Sequence, residues 1–450
     1  MIVRKTSFNI LNFIGFKQIG NWSVSHILGQ RIGFNRQYSS QPIGSFVKRN
    51  STTIIVQNDI QYKQVTLKTK GGGAVLRDIK NGRDIGTKKQ FVVSEGQFIM
   101  SKIDARNGAF GIVPKELDGA IVTADFPVFD VVADVIDPEY FALISSTNVF
   151  ARFAQSCSRG TTNRQRIDIN LFLSQQIPTP TLIEQQALVN AYKEKMQQAL
   201  ELEKQASQIE IEVKDYLLSG LGLYITKKET QSGINLVRFK DVNVWGVGLL
   251  HSIHSSASSV FPVKRIKEIC SISSGGTPSR SIPQYFQGNI PWIKTGEVIN
   301  EEIFETEEHI SPEAIENSSA KLFPSGSLIV AMYGQGDTRG RTAKMGIEAT
   351  TNQACAVLYK IDNDIINTDY LWYFLQARYD DLRSLASGNN QPNLNAGKIS
   401  NYEVVIPPMN IQNEMVLHVA DQKRQVNQIK QQVENLRKEA LEDFEKEIFE

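Results

Sequence analysis

The stretch that decides the fold is Val426-Asn427-Gln428-Ile429-Lys430-Gln431-Gln432-Val433-Glu434-Asn435-Leu436-Arg437-Lys438-Glu439-Ala440. Its apolar residues Val426, Ile429, Val433, Leu436 and Ala440 recur at alternating intervals of three and four. That is the heptad seam of a helix lying along a partner helix. The intervening positions carry Gln, Lys, Arg and Glu, as a solvated helix surface requires. The seam belongs to a helical stretch over residues 409–450. A second seam, Ala199, Leu202, Ala206, Ile209, Val213 and Tyr216, lies in residues 182–222, where Gly220 and Gly222 supply the stop signal. Neither helix has enough apolar face to stand alone, so the sequence predicts that the two pair, antiparallel.

The 450 residues allow two or three domains. Lys and Arg number 49 against 48 Asp and Glu, so global charge gives no argument for a nucleic-acid partner. A basic face offset by acidic helices stays compatible with one. Cys157, Cys270 and Cys355 are far apart and form no CxxC, which fits a reducing, cytoplasmic compartment without a disulfide framework or metal knuckle. No run of about eighteen apolar residues exists, so no membrane span is expected. The N-terminus, with Arg4, Lys5 and then Phe8 to Phe16, imitates a signal peptide. Asn9, Asn12 and Lys17 interrupt it, and no small-residue cleavage site follows.

The chain repeats itself. Phe16-Lys17-Gln18-Ile19 with Trp22 returns as Phe239-Lys240-Asp241-Val242 with Trp245, an offset of 223 (239 − 16). Gly96-Gln97-Phe98-Ile99-Met100 returns as Gly326-Ser327-Leu328-Ile329-Val330, at 230 (326 − 96). Ile177-Pro178 returns as Ile406-Pro407, at 229 (406 − 177). Three matches in one order at nearly one offset predict two copies of a unit, each a mixed domain followed by a long helix. The fold class expected is α+β: two strand-rich globular domains in a pseudo-twofold tandem repeat, separated by two long antiparallel coiled-coil helices. Boundaries fall at 1–181, 182–222, 223–408 and 409–450.

In the first domain, strands are predicted at 52–56, 64–67, 91–93, 97–100 and 120–132. A helix is predicted at 138–154, with Asp137 as N-cap and Pro138 at its first position. The second domain has a buried strand at 326–332, a strand at 351–358 and a helix at 369–387. Each helix is followed by a polar loop. One carries Arg159, Arg164 and Arg166; the other carries Asn389, Asn390, Gln391 and Asn393. Arg suits guanine edges, and Asn or Gln suits adenine; the competing reading is turn capping. Lys102, Arg106 and Asn107 follow the strand at Gly96 as Arg339, Arg341 and Lys344 follow the one at Gly326. The loop 334–341 reads either as a plain strand connection or as a flexed loop presenting its arginines to DNA. It lacks the Gly-x-Gly-x-x-Gly spacing of a dinucleotide cradle. Trp292 reads as core, with Lys294 beside it as a candidate phosphate contact.

Other motifs carry less. His251 and His254 lack a third metal ligand. Glu212-Val213-Lys214 lies on a coiled-coil face rather than in a nuclease site. There is no Asn/Asp-Pro-Pro-aromatic tetrapeptide, Walker lysine or HExxH, so no chemistry is expected of the chain.

Four stretches resemble the specificity subunit of type I restriction–modification systems. They are Ser274-Gly275-Gly276-Thr277-Pro278-Ser279-Arg280, the Ile290-Pro291-Trp292-Ile293-Lys294-Thr295-Gly296-Glu297-Val298 run, Thr351-Asn352-Gln353-Ala354, and the Ile406-Pro407-Pro408 exit into a helix. The first copy departs from this pattern, having neither the SGGTP nor the IPW run. The resemblance implies two target-recognition domains, each reading half of a bipartite double-stranded DNA target, and adds Arg280 to the DNA-facing candidates. It implies helices that hold the halves apart and dock two methyltransferase subunits, with restriction/translocase subunits in the complex. S-adenosylmethionine, ATP and Mg are then expected on those partners and no cofactor here. The rival expectation is a non-enzymatic interaction scaffold whose mixed domains bind peptide or glycan; a standalone nuclease is a third.

Overall fold

The computed structural model describes residues 35, 37–69, 72–159, 166–223, 259–334, 336–386 and 394–450. The matching segments around Trp22 and Trp245, and His251 and His254, lie outside them. The chain divides into two compact units: residues up to Leu202 with Gln431–Glu450, and residues Glu203–Lys430. Each holds one mixed module and a portion of both long helices.

The first unit has a four-stranded antiparallel sheet in the order Val47–Asn50, Val128–Val131, Phe98–Met100, Phe110–Ile112. A five-stranded sheet runs Thr53–Ile55, Lys89–Val92, Ile121–Val122, Gln61–Leu67, Ala74–Asn81. Phe98-Ile99-Met100 is apolar throughout because it is covered on both sides. Phe98 and Met100 join a cluster with Phe46, Phe141 and Phe172, while Ile99 joins Val65 and Leu67. The Phe98 and Phe141 rings lie 4.3 Å apart.

The second unit follows the same logic. Its five-stranded sheet runs Ser271–Ser274, Cys355–Tyr359, Leu328–Ala331, Thr342–Met345, Glu302–Ile303. Leu328 and Val330 face one core, Ile329 and Ala331 the other. A three-stranded sheet of His309–Ile310, Ile290–Ile293 and Thr350–Thr351 adjoins it.

The helix expected at 138–154 is two helices, Pro138–Ser146 and Asn148–Ser156. Thr147 stands between them in an extended conformation, and its Oγ1 accepts the Phe150 N–H at 3.1 Å. A threonine cap at that point restarts the helix. Likewise 369–387 resolves into Thr368–Ala377 and Tyr379–Ser384. Asp137 caps the first helix by accepting from the Glu139 and Tyr140 N–H groups, with Pro138 next, as expected. The strand expected at 120–132 is Ile121–Val122 and Val128–Val131, and 351–358 is Thr350–Thr351 and Cys355–Tyr359. Ala74–Asn81 and Phe110–Ile112 are strands that the alternation did not reveal.

The first long helix is Leu182–Gly220, 39 residues, and the second is Met409–Phe449, 41 residues. Ala199, Ala206, Val426, Val433 and Ala440 are buried, as the seams require. Within the first unit Lys195 meets Asp443 at 2.6 Å. Within the second, Lys430 meets Glu210 at 2.9 Å and the Tyr216 and His418 rings lie 4.1 Å apart. Within the second unit, rising positions on the first helix meet falling positions on the second, an antiparallel pairing.

One repeat register needs correction. The Tyr140 hydroxyl donates to the Pro178 carbonyl at 3.0 Å, and the Tyr370 hydroxyl donates to the Val405 carbonyl at 2.8 Å. The offset there is 227 (405 − 178), so Thr179-Pro180, not Ile177-Pro178, corresponds to Ile406-Pro407. A two-residue motif could not fix this register; the paired hydrogen bonds do.

Candidate nucleic-acid interface

Each module ends in a buried glutamine that binds it to its helix. The Oε1 of Gln185 accepts the Asp137 N–H at 2.7 Å, while its Nε2 donates to the Val135 carbonyl at 3.2 Å and the Pro180 carbonyl at 2.8 Å. The Oε1 of Gln412 accepts the Asn367 N–H at 2.7 Å, while its Nε2 donates to the Ile365 carbonyl at 3.1 Å and the Pro407 carbonyl at 2.8 Å. Both side chains are fully buried, where an amide persists only with its hydrogen bonds satisfied. Sequence reading missed this joint. Its signal was available: a glutamine five residues after a proline, Pro180 to Gln185 and Pro407 to Gln412, in both copies.

In the first module the structure brings Lys102 and Arg166 together. The Lys102 N–H donates to the Asp125 carbonyl at 2.8 Å, and its carbonyl accepts the Ile167 N–H at 2.9 Å. The Arg166 guanidinium lies 3.3 Å from Asp125 Oδ1 and is mostly exposed. Asn107 ends a single helical turn closed by Gly108 at φ 76°. Arg106 and Arg159 lie in that turn and in the strand Ser158–Arg159, and Arg164 lies outside the described residues.

In the second module the loop 334–341 links two antiparallel strands, Leu328–Ala331 and Thr342–Met345. No helix opens after it, so it is a hairpin connection. The Gly340 N–H donates to the Ala331 carbonyl at 2.8 Å, and the Ala331 N–H donates to the Arg341 carbonyl at 2.9 Å. Arg339 sits half-buried at its turn. The loop rests on Tyr379–Ser384, where the Tyr379 hydroxyl donates to the Asp337 carbonyl at 2.6 Å. Lys344 is drawn inward and pairs with Asp369 at 2.8 Å and Glu302 at 3.7 Å. Burial pulls its pKa down, but the Asp369 hydrogen bond and both carboxylates outweigh this and raise it. Asn389, Asn390, Gln391 and Asn393 lie outside the described residues.

Arg280 and Lys294 share an acidic partner. Arg280 meets Glu308 at 2.7 Å with its guanidinium 4.0 Å from the Phe286 ring centre, and Lys294 meets Glu307 at 2.5 Å and Glu308 at 3.2 Å. The hydrogen bonds that Lys294 donates to Glu307 and then to Glu308 raise its pKa, and the hydrogen bond from Arg280 foremost lowers that of Glu308. The charges of these two candidates are thus matched within the module. The runs around them form a lattice of backbone contacts. The Trp292 indole N–H donates to the Gly276 carbonyl at 3.0 Å, and the Gly276 N–H donates to the Thr351 carbonyl at 2.8 Å. A Cβ on Gly275 would stand 2.1 Å from Thr351 Oγ1, and one on Gly276 would stand 2.3 Å from the Ala320 nitrogen. The paired glycines are therefore structural.

A mixed module joined by a buried glutamine to a seamed helix, built twice, defines a duplicated binding module on a helical scaffold. Residues 259–435 match the family described as the type I restriction modification DNA specificity domain. The chain is similar to the MjaIX specificity subunit of the type I restriction enzyme of Methanocaldococcus jannaschii, 28% identical over 187 residues. That match spans 40% of this chain and 42% of the relative, less than half the length of each. Similarity to the HindI specificity subunit of Haemophilus influenzae extends over 378 residues at 24% identity, 74% of this chain and 82% of that one. A chain solved in work on complex assembly and conformational transition of the type I R-M system shares the fold, with a TM-score of 0.54, 17% identity, and coverage of 92% of this chain and 97% of that one. The chain is thus similar to specificity subunits of type I restriction enzymes, and residues 259–435 carry the match to the family model. The peptide- or glycan-binding scaffold is not favoured.

Among the described residues, no helix is long and apolar enough to cross a membrane. No group of three or more His, Cys, Asp or Glu among them is placed to hold a metal.

Proposed function

We propose that this chain is the non-catalytic DNA-reading subunit of a type I restriction–modification complex and recognises a bipartite double-stranded target. Each mixed module reads one half-site, positioned by phosphate contacts and specified by base contacts. The helices set the separation of the half-sites and offer faces to two methyltransferase subunits, with restriction/translocase subunits joining the complex. S-adenosylmethionine, ATP and Mg act on those partners, in the cytoplasm.

The observation that carries this reading is the duplicated glutamine joint. A ruler works only if each reading head is fixed to the rod, and Gln185 and Gln412 fix each module to its helix by the same three hydrogen bonds. At about 1.5 Å per residue, the 39 residues of the first helix make a rod of roughly 58 Å. At roughly 3.4 Å per base pair this bounds the spacing at about seventeen base pairs. Modules packed along the rod favour about one helical turn between half-site centres.

The test is a gel shift with duplexes randomised in sequence and spacer, with and without a methyltransferase partner. Selection should return two fixed half-sites at a single spacer length. A contiguous motif, or none, overturns the proposal.

A further inference from the structure

The near-zero global charge conceals one strongly basic stretch. Residues 48–89 contain ten Lys and Arg against three Asp, a net +7, while the whole chain is +1. The rest of the chain is therefore net −6 (1 − 7). None of the family-like motifs falls in this stretch, and none of the DNA-facing candidates above lies within it.

Part of this charge, Lys63, Lys68, Arg77 and Lys80, lies on or just past one pair of neighbouring strands in the first unit. Gln61–Leu67 and Ala74–Asn81 form an antiparallel ribbon, with Ala74–Asn81 outermost in its sheet. The register slips opposite Gln64 and Val65, whose partners are Asp78 and Leu76, so Arg77 is the extra residue of a bulge. A bulge re-aims a side chain and bends the strand. Arg77 is exposed there, between Leu76 at 48% and Ile79 at 53% exposure. Lys68 is exposed just past the first ribbon strand. Among the described residues of this stretch, only Lys80 and Arg83 meet a carboxylate, Asp78 at 3.3 Å and Asp59 at 3.7 Å.

The ribbon's base also adjoins the loop that carries Lys102 and Asn107. Gly111 lies in the strand that follows this loop, and a Cβ on it would stand 2.7 Å from the Ala74 nitrogen. Only a residue without a side chain lets the two backbones approach so closely.

Resting on the DNA-reading function above, we infer that the Gln61–Leu67/Ala74–Asn81 ribbon is the surface by which the first module grips the duplex. The major groove admits a two-stranded ribbon, and arginine there can meet guanine or phosphate. Exposed Leu76 and Ile79 suit the thymine methyl group. The plain alternative is that lysines at a sheet edge merely prevent edge-to-edge association. One or two charges suffice for that. It does not account for exposed Leu76 and Ile79 on the edge itself, which work against it.

The experiment uses the full chain and a mixed-sequence duplex of about thirty base pairs, read by fluorescence anisotropy at about 50 and about 200 mM salt. The variant is Lys68→Gln/Arg77→Gln, and Arg424→Gln on the second long helix is the control. For every phosphate that the variant no longer neutralises, the affinity change across that fourfold salt range should shrink by roughly 3.5-fold. Two such phosphates give more than about tenfold. Unchanged affinity and salt dependence in the variant, with the wild type binding, overturns this inference alone. A wild type that binds at neither salt overturns the DNA reading and this inference together. A second measurement is independent of the variant's folding. Bound DNA should protect Lys68 of the wild-type chain from acetylation, and equal labelling with and without DNA overturns the assignment.

Discussion

Replacing Gln412 by alanine removes three hydrogen bonds in one step. The Asn367 N–H loses its acceptor at 2.7 Å, and the Ile365 and Pro407 carbonyls lose their donor at 3.1 and 2.8 Å. Gln412 is 0% exposed, so bulk water does not readily replace it. A buried polar group left unpaired costs roughly 1–3 kcal/mol. Three such groups, each near the low end after local relaxation, give about 3–5 kcal/mol, a sizeable part of the roughly 5–15 kcal/mol that holds a domain folded. Gln185→Ala should cost a similar amount, because its three partners are equivalent and Gln185 is also 0% exposed. Urea unfolding measures the loss, and hydrogen exchange at the Asn367 amide should quicken in Gln412→Ala. Gln412→Glu should be no better than alanine, since a carboxylate keeps the acceptor but faces two carbonyls without a donor. If Gln412→Ala stays within about 0.5 kcal/mol of wild type and Asn367 exchange is unchanged, the joint is not held as described.

Removing one heptad from each long helix shortens the rod by about 10.5 Å. The selected spacer should then shorten by about three base pairs, with the half-sites unchanged; the reverse pattern in a binding selection defeats the ruler. Lys423 lies over Trp372 and Tyr373, its ammonium 4.9 and 5.0 Å from the ring centres, and donates to Gln376 Oε1 at 2.8 Å. Burial pushes its pKa down to about 8. The unfolded chain therefore holds this proton more tightly, and the cost to folding is full below pH 8 and fades as pH rises towards the usual lysine value. Lys423→Met should be more stable than wild type at pH 7, with the gap narrowing above pH 8 in paired urea titrations; a pH-independent gap refutes the burial argument. Gly275→Ala should unfold the second module, because its Cβ would stand 2.3 Å from the Thr351 carbonyl oxygen, a backbone atom that cannot swing away. A wild-type melting profile for that variant would show that the strands part easily.

The helices and the duplication were legible in the chain alone. A seam at three-four spacing survives any tertiary detail, because only a helix places Val426, Ile429, Val433, Leu436 and Ala440 on one face. Runs such as Phe98-Ile99-Met100 and Leu328-Ile329-Val330 announced buried strands because both faces are covered. The breaks at Thr147 and Arg378 were not legible, since a cap inside an apolar pattern leaves its period unchanged. The strands Ala74–Asn81 and Phe110–Ile112 escaped because edge position and local packing, rather than alternation, decide them. The motifs carrying the resemblance belong to a third kind. Their residues pointed to the family, but only the folded chain makes Gly275 and Gly276 the floor under Trp292 and ties Arg280 and Lys294 to one glutamate. Charge behaved the same way. A chain-wide sum near zero is a property of composition, whereas the exposure of Lys68 and Arg77 on one edge ribbon is a property of strand order and register. Sequence determined that there would be two modules and two seamed helices, because periodicity and repetition are local. Which polar side chains are held within the scaffold, and which stand exposed for a partner, was decided by tertiary structure, because a hydrogen bond or an ion pair depends on where distant residues meet.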